Sequence, residues 1–192
     1  MQTTKEKILD AVISYIKQPL DLNQVSISDI AKKAEIGKST IYEYFDNKSA
    51  LIEETYLHLL KNYEKTLMQD IASLEFESAL KKQLTWILNV IEDAKNIMEV
   101  IMRGQIDIGF VKLNACSKKI EQVQRNMENR FIEIFQKGIT KGIIEVKSKP
   151  YQQNIIQALI NGLMFQYADG KIEINRADLI DLVYEEIMRV LK

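Results

Sequence analysis

The one histidine of the chain, His58, stands four residues after Glu54, a spacing that sets imidazole and carboxylate side by side on a helix. Nucleophilic catalysis of the Ser–His–Asp or Cys–His kind would have to rest on this single imidazole. A four-helix di-iron centre, which needs two Glu-x-x-His units, is out of reach. Cys116 is the only cysteine, so a zinc site lacks companions and no disulfide can form within the chain. No glycine-rich phosphate loop occurs. These features point away from an enzyme, a resident metal or a cofactor. The densest set of chemically useful side chains lies in Ser26-Ile27-Ser28-Asp29 and in Lys38-Ser39-Thr40-Ile41-Tyr42-Glu43-Tyr44-Phe45, followed by Lys48. Hydroxyls, phenols and amines at that density suit phosphate oxygens and the polar edges of bases.

The elements that must position them are helices. Seven glycines and two prolines among 192 residues leave little punctuation, and 46% hydrophobic residues can bury a sizeable core. Leu9, Val12, Ile13 and Ile16 mark one face of a first helix that ends near Gln18-Pro19. Ser26 and Asp29 have capping-box spacing and open a short second helix carrying Ile30, Ala31 and Ala34. Glu35-Ile36-Gly37 interrupts it, and a third segment runs from Lys38 to Phe45. Two short helices joined by three or four residues have the footprint of a helix-turn-helix. Ile41 and Phe45, at i and i+4, share the core face, leaving Lys38, Ser39, Thr40, Tyr42 and Tyr44 outward. Asp46-Asn47-Lys48-Ser49 caps a long fourth helix bearing Leu51, Ile52, Tyr56, Leu59, Leu60, Tyr63 and Leu67.

The run from Ser26 to Leu51, preceded by Ile8-Leu9-Asp10-Ala11, resembles the signature of the TetR family of transcriptional regulators over about 50 residues. The shared pattern is a capped helix, Ile-Ala, a small-residue turn, then Lys-x-Thr-aliphatic-Tyr-x-aromatic-Phe-x-x-Lys-x-x-Leu. Five departures stand out. Glu35 replaces the usual turn glycine, Gly37 the usual serine, Glu43 a basic or polar residue and Ile16 an aromatic one. The first loop also lacks its usual glycine and is about one residue longer. The resemblance implies an all-α homodimer with a three-helix DNA-binding domain over residues 1–48 and a larger effector-binding and dimerisation domain over 49–192. It implies DNA contacts from Ser26, Ser28, Lys38, Ser39, Thr40, Tyr42, Tyr44 and Lys48. Tyr42 and Lys48 suit phosphates, and the small side chains at the start of the third helix suit base edges. Bulk charge adds nothing: residues 1–48 hold seven lysines and seven acids, and a nucleic-acid module usually shows a basic excess.

The rest of the chain reads as further helices. Leu80, Leu84, Ile87, Leu88 and Ile91 predict a fifth, with Trp86 out of phase, and Ile97, Met98, Ile101 and Met102 a short sixth stopping around Gly104. Ile120, Val123, Met127, Phe131, Ile134 and Phe135 predict a long seventh, ended by Gly138-Ile139-Thr140-Lys141-Gly142-Ile143-Ile144. Pro150 suits the first position of an eighth helix, and a ninth carries Leu179, Leu182, Val183, Ile187, Val190 and Leu191. The last two helices are apolar over more than one face, which in the resembled family serves a four-helix dimer interface. Ile156, Leu159, Ile160, Leu163, Leu179, Leu182 and Val183 are the expected contacts. Trp86, Met98, Met102, Phe131, Phe135, Asn161 and Phe165 are the expected lining of an effector site, with Phe110, Met127 and Met164 nearby. Glu99 and Asp107 would suit a cationic ligand.

The expected protein is therefore a repressor that binds a palindromic operator in double-stranded DNA as a homodimer and is released by an apolar or amphipathic small molecule. A dimeric helical ligand-binding or scaffold protein with a weakened helix-turn-helix is the competing reading, kept alive by the neutral charge and by Glu43. No apolar run has membrane-spanning length, and Met1 to Lys7 lacks a signal peptide's apolar region, so the expected compartment is the reducing cytoplasm, with no membrane partner.

Overall fold

The structure, a computed structural model, describes residues 2–18, 22, 24–102, 114–145 and 150–191, with side chains except those of 96–102 and 114–115. Among these residues there are eight α-helices and no strand, the all-α architecture expected. They are α1 (Thr4–Ile16), α2 (Ile27–Lys33), α3 (Lys38–Tyr44), α4 (Lys48–Leu67), α5 (Phe76–Met102), α6 (Asn114–Thr140), α7 (Gln152–Ala168) and α8 (Arg176–Leu191). The packing divides into two units, Met1–Glu64 with Ala94–Val123, and Lys65–Asp93 with Gln124–Lys192. The functional boundary expected at 48/49 falls inside the first.

In the first unit the helix ends are written in local chemistry. Thr3 and Glu6 form a capping box on α1, and Ser26 and Asp29 form one on α2. α2 ends in a Schellman turn: Ile36 N–H donates to the Ala31 carbonyl at 3.0 Å and Glu35 N–H to Lys32 at 3.2 Å. Such a turn needs a left-handed residue after the cap, and Glu35 supplies it at φ 58°. The asparagine of the Asp46–Ser49 segment caps α4, Asn47 Oδ1 accepting from Ala50 N–H at 2.9 Å. One core unites Ile8, Val12 and Ile16 of α1, Ile30 of α2, Ile41 and Phe45 around α3, and Leu51 of α4.

In the second unit Leu80, Leu84 and Leu88 of α5 are fully buried, as are Ile134 of α6, Met164 of α7, and Leu179, Val183 and Ile187 of α8. α7 packs on α8, and Gln152 Nε2 donates to the Val190 carbonyl at 2.8 Å. Two expectations change here. The fifth and sixth helices are one helix of 27 residues, because nothing between Ile91 and Ile97 breaks a helix: Glu92, Asp93, Ala94, Lys95 and Asn96 all tolerate one. Pro150 is not a first helical residue either. α7 starts at Gln152 behind Tyr151, an N-cap in the left-handed conformation at φ 61°. Among the described residues no helix is long and apolar enough to cross a membrane.

Candidate functional site

The α3 surface is built from the inside out. Ile41 and Phe45 are buried at 1% and 4% exposure, which turns the opposite side of this two-turn helix to solvent. Tyr42 and Tyr44 are 51% and 44% exposed, large values for aromatic rings. Lys38, Ser39 and Glu43 are exposed beside them, and Thr40 is partly so. Among the described residues, none of Lys38, Ser39, Thr40, Tyr42 or Glu43 spends its side chain on a hydrogen bond or ion pair within the chain. The face is polar, aromatic and uncommitted.

The flanking residues are partly committed. Ser26 Oγ accepts from Asp29 N–H at 3.1 Å and lies 2.6 Å from Asp29 Oδ2. The Ser26 hydroxyl, and then its backbone N–H, hold the Asp29 carboxyl below the usual carboxylate range. Ser28 is exposed. Lys48 is only partly exposed, and its Nζ donates to the Leu22 carbonyl at 2.7 Å. It anchors the loop between α1 and α2 to the start of α4, a role that sequence spacing did not reveal. α1 is fixed to α4 by an ion pair between Lys5 and Glu54, and His58 Nε2 lies 3.6 Å from Asp10. The single histidine is thus used in helix packing. Cys116 is buried, and burial pushes its thiol pKa up, as does the nearby Glu53 carboxylate. A protonated thiol is a poor nucleophile.

The residues expected around an effector are more scattered. Trp86, Phe131 and Phe135 are partly buried, the last two with ring centroids 5.8 Å apart. Asn161 and Phe165 are exposed on α7. Met98 and Met102 lie in α5 but outside the described side chains, and Phe110 and Asp107 lie outside the described residues. An open cleft of about 590 Å³ is lined by Leu74, Ile132, Gln136 and Lys137 among others, and by none of the expected residues. Lys137 closes its floor by donating to the carbonyls of Ile71, Ala72 and Leu74 at 2.9–3.1 Å. Sequence reasoning overlooked two polar residues of this unit, Gln83 and Arg130. Each interrupts an otherwise apolar stripe, and that was the available signal.

The expected dimer contacts divide in two. Ile156, Ile160, Leu179 and Val183 are buried within the chain itself, where α7 meets α8, so their surfaces are already spent. Leu159, Leu163 and Leu182 remain partly exposed, and Ile155 on the same outer face of α7 as Leu159 is 47% exposed.

Residues 21–55 match the family described as bacterial regulatory proteins, tetR family. The chain is 26% identical over 148 residues to the uncharacterized HTH-type transcriptional regulator YhgD of Bacillus subtilis (strain 168), covering 76% of this chain and 72% of that protein. It is 24% identical over 162 residues to the HTH-type transcriptional regulator BetI of Vibrio campbellii (strain ATCC BAA-1116), covering 83% and 77%. A tetR-family transcriptional regulator from Streptomyces coelicolor shares the fold with a TM-score of 0.68 at 15% identity, over 97% of this chain and 79% of that one.

Proposed function

The chain belongs to the TetR family of transcriptional regulators, and from that premise we propose that it is a repressor binding a palindromic operator as a homodimer and leaving it when a small molecule binds. The observation that carries this reading is the α3 surface, where Lys38, Ser39, Thr40 and Tyr42 stand uncommitted beside the exposed ring of Tyr44, over a core of Ile41 and Phe45. A recognition helix needs that division, since its core face fixes it and its outer face enters the major groove. Lys38 and Tyr42 serve phosphates, while Ser39 and Thr40, short side chains in the first turn, meet base edges. Ser26 and Ser28 add contacts from α2, and Lys48 adds rigidity to the start of α4 along with its charge.

Two copies pair through the outer face of α7, with Ile155, Leu159 and Leu163, and the adjoining part of α8 at Leu182. The regions 1–48 and 49–192 then divide the work into DNA binding on one side and sensing with pairing on the other. Release is a population shift. The effector binds better to a conformation whose recognition helices no longer match the operator spacing, with a coupling of ~1–3 kcal/mol. Protection of an inverted repeat by the purified protein, in a footprint across genomic fragments, tests the reading. Indifference to sequence favours the scaffold alternative, to which exposed Glu43 and the neutral N-terminal charge would then belong.

A further inference from the structure

The second packing unit holds a mostly buried guanidinium that is poorly paired among the described residues. Arg130 lies beside the inner stripe of α6, between Met127 and Ile134, and its side chain is only 11% exposed. Guanidinium groups so covered are ordinarily paired, because desolvation disfavours a bare charge. Its one ionic contact among the described residues runs from Nε to Glu133 Oε2 at 3.8 Å, beyond hydrogen-bond reach, and Glu133 is itself 49% exposed. Four of the five N–H donors of the side chain sit on the two terminal nitrogens. No described group accepts from them.

A second uncompensated group lies close by. Gln83 of α5 is 0% exposed. Its Nε2 donates to the Leu67 carbonyl at 3.1 Å and lies 3.7 Å from Met127 Sδ, while its Oε1 is buried without a partner. The Leu67 carbonyl fixes the amide orientation, since a flipped amide would set two oxygens against each other. Arg130 follows Met127 by three residues, ~4.5 Å along the helix axis. Gln83 thus meets α6 at Met127, one turn before Arg130; its Oε1 lacks a donor, and the terminal nitrogens of the guanidinium lack an acceptor.

We infer that this stretch binds a small organic acid with an apolar body and a hydroxyl or amide N–H near its carboxylate. The carboxylate receives the two terminal nitrogens of Arg130 side by side, the geometry that a guanidinium fork presents. The hydroxyl or amide N–H donates to Gln83 Oε1, and the apolar body lies against Met127 and Phe131. A cationic or purely apolar ligand would leave Arg130 bare. The inference rests on the effector reading above and gives it a chemical class and a route. Leu67 is the last residue of α4, the helix that leads on from the helix-turn-helix, so a ligand that engages the Gln83 amide acts on the end of that helix.

The test is a calorimetric titration of the full chain with 3-hydroxy acids of four to fourteen carbons, decanoate and decyltrimethylammonium. Trp86, one turn from Gln83 on α5, gives a parallel fluorescence reading. At least one hydroxy acid binds saturably, Arg130→Met weakens it tenfold or more, and decyltrimethylammonium does not bind. Gln83→Leu removes the advantage of 3-hydroxydecanoate over decanoate. Without ligand, Arg130→Met melts at or above the wild-type temperature, because a poorly paired charge has been replaced by an apolar group of similar volume; a structural ion pair would give a lower one. Failure of the whole hydroxy-acid series, equal affinity for wild type and Arg130→Met, or tight binding of the ammonium compound overturns the inference. DNA binding is measured beside it, so that acid binding through Arg130 without DNA binding would defeat the regulator reading and leave this one standing.

Discussion

Lys48 Nζ donates to the carbonyl of Leu22 across 2.7 Å, tying the first turn of α4 to a loop residue that precedes α2. A charged donor on a partly buried carbonyl contributes more than an ordinary surface hydrogen bond. Lys48→Ala is therefore expected to lower stability by ~1–2 kcal/mol, read as a shift of the urea midpoint with an unchanged slope. A variant as stable as wild type would remove the anchoring role and leave only a contact to DNA.

Glu35 supports a second prediction. It occupies the left-handed position of the Schellman turn at φ 58°, where a side chain is strained and glycine is not. Glu35→Gly should raise stability by up to about 1 kcal/mol, the relief of strain being partly offset by the greater freedom of the unfolded chain. Thermal unfolding of the pair checks it. A clear loss of stability would mean that the carboxylate makes a contribution larger than the strain.

Gly138 faces the opposite constraint. It is buried in α6, and a Cβ there would meet the Phe76 ring at 2.9 Å and Ile144 Cδ1 at 3.1 Å. Phe76 is itself almost fully buried, so its ring has little room to retreat. Gly138→Ala should cost ~1–3 kcal/mol by overpacking, although alanine is the better helix former. A stabilised variant would show that this close approach is not needed.

Pairing yields a contrast between two leucines. Leu159 is partly exposed on α7, whereas Leu179 of α8 is 0% exposed within the chain. Leu159→Glu should elute as a folded monomer that has lost operator binding. Leu179→Glu should fail to fold, because it buries an unpaired charge. An unaltered dimer from Leu159→Glu, with unaltered DNA affinity, would place the interface elsewhere.

How much was legible in the sequence follows from how local the signals are. α1 to α4 announced themselves because the capping box at Ser26/Asp29 acts within three residues and the core stripe repeats with the helix. Even the departure at Glu35 marked a real left-handed turn. The continuity of α5 through Met102 was obscured because its stripe is broken by Glu92, Asp93 and Lys95, which interrupt a pattern without interrupting a helix. α7 is apolar on both sides, so periodicity alone could not tell Ile156 and Ile160, spent on packing inside the chain, from Ile155 and Leu159 on the outer face. Lys48 bonds a residue 26 positions away, and Gln83 meets Met127 across 44. Such relationships exist only once the helices have packed.

A competition footprint reads the role of α3 most directly. Wild type is expected to protect an inverted repeat, with half-sites about one helical turn apart or somewhat more, against excess unrelated DNA, its affinity falling steeply as salt rises. Tyr42→Ala should lose affinity for every sequence while retaining its helical content. Lys38→Ala should lower the slope of log affinity against log salt by about one, and Thr40→Ala should change which bases are preferred. Equal competition by specific and unrelated DNA at low salt, or full operator affinity in Tyr42→Ala, would contradict the assignment of α3 as a recognition helix.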